Sequence, residues 1–222
     1  MKPAPSKKTG SRNPLHSQER ILEAALKEFA AKGFAGARVD AIARRARINK
    51  RMLYHYFGDK NGLFREVLRR KLAERSAWLA SAPEPLIESL PFWFHLACRD
   101  AEWIRLLEWE ALQWGERKVI DESHRRENAV RAIERLRQQQ AKGLLSEEFD
   151  PGQLLLSMMA LIAYPLAFPQ MARLITGLSV SNPDFQRQRE VFLRQFAAAF
   201  QLRPSVAGPP GTPEGSTPGT RP

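Results

Sequence analysis

The sequence predicts an all-α fold in two parts, and three observations carry that expectation. Apolar residues recur with a helical period, as in Val39, Ile42, Ala43 and Ala46, and again in Ile21, Ala25 and Phe29. The segment Ala46-Arg47-Ile48-Asn49 is short enough to cross two helices sharply, the spacing of a helix-turn-helix. Residues 151–172 contain no charged side chain, and Phe185, Val191, Phe192, Phe196 and Phe200 fall near one face of a later helix. Helices this apolar need burial on more than one side. A chain of 222 residues with 43% hydrophobic content suits one long or two short domains with a real core.

Residues 1–15 carry Lys2, Lys7, Lys8 and Arg12 among Pro3, Pro5 and Pro14, and predict a disordered basic leader. It is either inert or an arm that adds phosphate or minor-groove contacts. Ser17 is placed to cap a first helix that runs to Lys32 and stops at Gly33. Its Ile21, Ala25 and Phe29 would cover the two motif helices.

Asn49 caps the second motif helix, because a short polar side chain there can accept from the first-turn N–H groups. Advancing about 100° per residue puts Lys50, Arg51, Tyr54 and His55 on one half of the cylinder and Met52, Leu53, Tyr56 and Phe57 on the other. One face can pack on a core while the other offers cations and polar-tipped rings to a major groove. A cationic helix face that is simply solvated is the competing reading.

The run Ile21 to Phe34, Ile42-Ala43, Leu53-Tyr54-His55-Tyr56-Phe57, Lys60 and Leu63-Phe64 resembles the N-terminal domain of TetR/AcrR-type transcriptional regulators, over roughly residues 17–68. The resemblance implies a homodimer on a pseudo-palindromic double-stranded DNA operator, answering to an unknown small-molecule effector. It implies that Tyr54, His55 and Lys60 position the DNA backbone. Asn49, Lys50 and Arg51 complete the expected reading face, with Arg38 and Arg44 as further phosphate candidates. Three positions depart from the pattern: Arg47 where Gly is usual in the turn, Arg51 where a small residue is usual, and Ala37-Arg38 where Thr normally precedes the second helix. Arg47 implies either a turn that avoids positive φ or a modest strain. Missing its Thr cap, the second helix has Asp40 in its first turn to oppose the helix dipole. Arg51 is a bidentate donor suited to guanine.

Net charge supports the same end of the molecule. Of the total of +11, residues 1–60 hold 14 Lys and Arg against 5 Asp and Glu, which predicts salt-dependent phosphate binding there.

Beyond the motif, Asp59 caps a helix from Lys60 to about Ala80, with Leu63, Phe64, Val67, Leu68 and Leu72 facing inward. In the resembled family this helix links DNA-binding and regulatory parts. Pro83, Pro85 and Pro91 obscure the next boundary. The rings that follow are either core or the wall of a pocket for an apolar or aromatic molecule; the pocket candidates are Trp93, Phe94, Trp103, Trp109, Trp114 and Tyr164. Residues 121–140 form a charged helix with a thin seam at Val130, Ile133 and Leu136. Asp150-Pro151 opens a helix expected to reach about Leu178 with a bend near Pro165, and another runs from Pro183 to about Gln201. The resemblance makes this pair a dimer interface, with Leu161, Phe168, Phe192, Phe196 and Phe200 as candidates; a simple intrachain core is the alternative. Residues 203–222, with six prolines and four glycines, predict a disordered tail. The division is therefore 1–15 leader, 16–60 DNA-binding domain, 61–202 regulatory and dimerisation domain, and 203–222 tail.

An enzyme is not expected. The four histidines lack metal-ligand spacing, and there is no glycine-rich phosphate loop or Gly-x-Ser-x-Gly elbow. No metal or cofactor is implied. Cys98 is the only cysteine and reads as a small buried hydrophobe beside His95, which points to the reducing cytoplasm. The polar leader has no secretory core. Pro165, Pro169, Gln153, Ser157 and Gln170 argue against a membrane span over 151–172. The expectation is a sequence-specific cytoplasmic regulator, a repressor released by its ligand. A sequence-tolerant DNA-binding protein and a helical ligand-binding protein or enzyme are the alternatives.

Overall fold

The computed structural model describes residues 14–200; the expected leader falls almost wholly outside them, and the expected tail entirely. Among the described residues ten α-helices follow one another: α1 Pro14–Gly36, α2 Val39–Ala46, α3 Lys50–Phe57, α4 Lys60–Ser81, α5 Leu86–Arg99, α6 Ala101–Trp114, α7 Glu122–Ala141, α8 Pro151–Ala167, α9 Pro169–Thr176 and α10 Pro183–Ala199. A 3₁₀ turn at Gly115–Arg117 follows α6. No strand occurs among the described residues.

Several ends form where short-range chemistry requires them. Asp59 accepts the Gly62 N–H at 2.6 Å, and Asp150 accepts the Gln153 N–H at 2.8 Å ahead of Pro151. α1 leaves helical geometry at Gly33, as expected, where φ is 71° and ψ 178°. Ser17 differs from expectation: α1 already starts at Pro14, so Ser17 lies inside it, buried, and does not cap it.

Two cores form. The first joins Ile21, Ala25 and Phe29 of α1 to Ile42, Ala46 and Leu53 of the motif and to the inward face of α4, Leu63, Phe64, Val67, Leu68 and Leu72. Trp103, Ile104 and Leu106 of α6 and Ile120 complete it, so this core continues well past residue 60. The second gathers Leu90 and Phe94 of α5, Leu136 of α7, Leu154 and Met158 of α8, Ala172 of α9 and Phe185, Leu193 and Ala197 of α10.

Three expectations are corrected. The apolar stretch after Pro151 is two helices, with axes 87° apart, broken at Phe168 rather than bent at Pro165. Pro169 lacks an N–H and disfavours helical geometry in the residue before it, and Phe168 sits at φ −121°, ψ 64°. Pro165 is tolerated inside α8 because the Leu161 carbonyl, left without its i+4 partner, takes a 2.7 Å hydrogen bond from Arg189 Nη2 of α10. Among the described residues no single helix is long and apolar enough to cross a membrane. Along α7, Val130 is exposed, Ile133 is half-buried and Leu136 is buried. The α7 contact to α4 is instead polar: Ser76 Oγ lies 2.8 Å from His124 Nε2 and accepts from Asn128 Nδ2 at 2.9 Å. On α10, Val191 and Phe192 are exposed while Phe185, Leu193 and Ala197 are buried.

Candidate nucleic-acid interface

The motif is assembled from its buried side outward. Ile42, Ala43 and Ala46 of α2 and Leu53 of α3 are buried, with Ile48, Tyr56 and Phe57 packed half-buried against the same core. Asn49 caps α3 by accepting the Arg51 N–H at 2.9 Å. The turn closes through Ile48 N–H to the Ala43 carbonyl at 3.0 Å, which requires Arg47 to be left-handed at φ 53°. That is the strained outcome of the two the sequence allows, since a Cβ is poorly tolerated there. Arg20 of α1 reaches the same turn, its Nη2 donating to the carbonyls of Ala46 and, at 3.2 Å, Arg47.

Arg38 makes no side-chain cap for α2. Its N–H is instead received by Glu28 Oε1 of α1 at 3.4 Å. The buried Glu28 carboxylate also takes Lys32 Nζ at 2.9 Å, which holds its pKa below the ordinary value against the opposing pull of burial. Asp40 lies in the first turn of α2, as expected, and its carboxylate reaches Lys50 Nζ at 2.8 Å. That bond raises the Lys50 pKa.

Lys50, Arg51, Tyr54 and His55 are all exposed on one side of α3, with Lys50 Nζ 6.0 Å from the centroid of the Tyr54 ring. Met52, expected on the packing side, is 38% exposed beside them. Arg38 and Arg44 are exposed, and so are Arg45 and Arg47. Neither of that last pair is among the DNA contacts expected above, where Arg47 figures only as a turn residue; Arg45 follows Arg38 by seven residues, two helical turns, which is the signal that finds it. Lys60 is more enclosed, its Nζ donating to the Ala35 carbonyl at 3.2 Å and lying 5.0 Å from the Phe34 ring centroid. Partial burial lowers its pKa.

The six ring residues proposed for a pocket are not brought together. Phe94 is fully buried in the second core and Trp103 is buried in the first. Trp109 and Trp114 join the motif domain to the rest. Trp114 lies 6.0 Å from Phe34 and 5.7 Å from Phe64, centroid to centroid. Trp109 Nε1 and Arg105 Nε both donate to the Ala30 carbonyl near the end of α1, at 3.3 and 2.8 Å. Tyr164 is exposed against Phe168. Trp93 alone of the six lines a described cleft, between α5, α7 and α8. Of the dimer candidates, Phe168 and Phe192 are exposed, whereas Leu161, Phe196 and Phe200 pack half-buried against the second core. Leu156, Met159, Leu174 and Ile175 enlarge the exposed apolar surface of α8 and α9, the last two at 73% each.

With this geometry in view, similarity to known proteins becomes interpretable. Residues 21–67 match the model of bacterial regulatory proteins of the tetR family, and residues 93–197 match the tetracyclin repressor-like C-terminal domain. The transcriptional repressor SCO4008 of Streptomyces coelicolor is 32% identical over 174 residues, covering 78% of this chain and 91% of the relative. The repressor NicS of Pseudomonas putida is 34% identical over 119 residues, covering 50% and 56%. In three dimensions, the regulator SCO4942 of Streptomyces coelicolor superposes with a TM-score of 0.70 at 25% identity, covering 82% of this chain and 97% of that one. An exposed cationic helix on a buried motif, with both family models in register along the chain, leads to one conclusion: this chain belongs to the tetR family of bacterial regulatory proteins and is a DNA-binding transcriptional regulator.

Proposed function

We propose that the protein is a cytoplasmic repressor that binds a pseudo-palindromic operator as a homodimer and leaves it when a small molecule enters the domain built around the second core. The exposure of Lys50, Arg51, Tyr54 and His55 on a helix whose opposite side is buried carries the reading. Repression is supported by the names of two relatives, both repressors. The exposed apolar surface of α8, α9 and α10, including Phe168 and Phe192, supports association of two copies, because a patch of this kind favours a partner over water. Residues 16–60 carry DNA reading and residues 61–202 carry regulation and dimerisation. The relatives are regulators, and we assign no catalytic step and no cofactor.

Within the reading face, Arg51 contacts a guanine while Lys50, Tyr54 and His55 orient the helix. Arg38, Arg44 and Lys60 contact phosphate, and Asn49 acts by fixing the start of α3. The test is selection of bound fragments from sheared genomic DNA at physiological salt, followed by quantitative binding to the recovered site. An inverted repeat is the expected product. Arg51→Ala should then cost about 1–3 kcal/mol and relax preference at one base in each half-site. Uniform recovery of all fragments would instead identify a sequence-tolerant binder.

A further inference from the structure

Between residues 37 and 58 the sequence sets six cations, Arg38, Arg44, Arg45, Arg47, Lys50 and Arg51, against a single acid, Asp40. That acid is not tucked away. Its side chain is 74% exposed, and its carboxylate lies 2.8 Å from Nζ of Lys50, whose own side chain is 45% exposed. The Tyr54 ring centroid stands 6.0 Å from the same Nζ, so the ammonium is placed from two directions. A surface ion pair of this kind adds little to folding. A carboxylate brought up to DNA is repelled by the phosphates unless a base offers it a hydrogen-bond donor. Asp40 is brought up in this way, because it holds Lys50, the first residue of α3, and the start of the second helix is the end that meets base edges in a helix-turn-helix.

We propose that Asp40 and Lys50 act as one unit that reads a G·C pair in each half-site, Lys50 Nζ donating to the guanine and the Asp40 carboxylate accepting from the cytosine amino group. In the major groove this base pair offers guanine N7 and O6 as acceptors and then cytosine N4 as donor. O6 and N4 are the two ends of one base-pairing hydrogen bond, so they lie about 2.9 Å apart. An ammonium and a carboxylate 2.8 Å apart present the converse, donor beside acceptor, at a matching interval. A T·A pair repeats the order, thymine O4 then adenine N6, but puts a methyl group where guanine has N7, so the ammonium finds one acceptor in place of two. The C·G and A·T orientations reverse the order and set like groups together. The assignment rests on the reading of α3 as the helix that meets the operator, and it adds to Lys50 a base contact beside its orienting role. It places a second specified base pair in each half-site, distinct from the one contacted by Arg51.

Binding of the full chain to fully randomised DNA duplexes, with the bound fraction sequenced, tests the proposal. Asp40→Ala and Lys50→Ala should each lower discrimination at the same G·C pair about tenfold, the scale of one paired base contact. The double substitution should lower it no further than either single one, because the two groups act together. Affinity for duplexes lacking the site should move in opposite directions, rising with Asp40→Ala and falling with Lys50→Ala, since one removes a negative charge and the other a positive one. A merely structural ion pair would change affinity for all sequences together and leave base preference alone. Retained preference at the other positions of the site reports that each variant is folded. Unchanged preference after Asp40→Ala, or Asp40 and Lys50 acting on different base pairs, overturns the proposal. Control of a G·C pair by Asp40 and Lys50, with Arg51→Ala altering no position, keeps the pair and removes the guanine contact of Arg51. Wild-type protein that selects no sequence removes both.

Discussion

The ends of α1 and α2 both pass through a residue of positive φ, but they pose different steric problems. Gly33 lies at φ 71°, ψ 178°, an extended positive-φ conformation open essentially to glycine alone, whereas Arg47 lies at φ 53°, ψ 48°, the left-handed helical region that a residue with a Cβ can enter at modest cost. At Gly33 the lack of a side chain serves two purposes. It permits the backbone angle, and it admits the Trp109 ring, whose atoms come within 2.6–3.0 Å of where a Cβ would stand. The Ala30 carbonyl one turn earlier is satisfied from α6 by Arg105 and Trp109. The end of α1 is therefore completed by α6. At Arg47 a residue with a Cβ accepts the strain, and Arg20 of the same domain satisfies the turn's carbonyls. The reading head closes on itself, whereas its attachment to the rest passes through a glycine. The difference teaches that a positive φ does not by itself demand glycine: at ψ 48° a side chain is tolerated beside a cation that fixes the carbonyls, whereas at ψ 178° it is not.

The largest expected effect falls on the shared end. Gly33→Ala should destabilise the protein by about 2–4 kcal/mol, combining a positive-φ penalty with overpacking against Trp109. Urea unfolding measures it. Repeating the substitution in a Trp109→Leu background should recover more than half of the loss; equal costs in both backgrounds would show that backbone strain alone is responsible. Next comes the self-contained end. Arg20→Met should cost about 1–2 kcal/mol, because two carbonyls lose a charged donor while the aliphatic stem is retained. Smaller still and opposite in sign, Arg47→Gly should stabilise by about 0.5–1 kcal/mol, the left-handed penalty relieved less the added freedom of the unfolded chain. It should also weaken DNA binding without changing the preferred site, since a surface cation is lost. Loss of stability on Arg47→Gly would mean that the arginine side chain itself holds the turn.

This contrast also marks what is legible in the sequence. Most signals acting over three or four residues are read correctly, the caps at Asn49, Asp59 and Asp150, the stop at Gly33 and the sidedness of Lys50, Arg51, Tyr54 and His55, with the cap expected at Ser17 the exception. Each depends on local geometry that the residue itself dictates. What escapes is supplied from a distance. Arg20 is 27 residues from Arg47, and Arg189 repairs the helix at Pro165 across 28 residues, so the effective break moves to Phe168. The aromatic stretch fails as a single pocket for a related reason. The sequence offers core or pocket wall for these rings, but does not show that Gly33, Phe34 and Phe64 wait opposite Trp109 and Trp114. Met52 breaks the expected split of α3 because the core contacts of this two-turn helix concentrate on Leu53, leaving its neighbour at the margin.

Glu28 sharpens the comparison most finely, since it stands five residues before Gly33 and reaches forward to α2. It joins the two regions without belonging wholly to either. Its carboxylate accepts Lys32 Nζ and the Arg38 N–H, so it serves α2 in place of the missing cap. The lysine bond, aided by that N–H, keeps its folded pKa below 4.5 despite burial. The sign follows from linkage: stability from this group is fully present above the unfolded value and is lost as pH falls through the lower folded value. Glu28→Gln should therefore cost about 1 kcal/mol near neutral pH, with the gap to wild type narrowing below roughly pH 4. Urea midpoints at pH 7, 5 and 3 measure the trend. A gap that stayed constant across that range would assign the effect to packing of the side chain and remove the carboxylate from any role in starting α2.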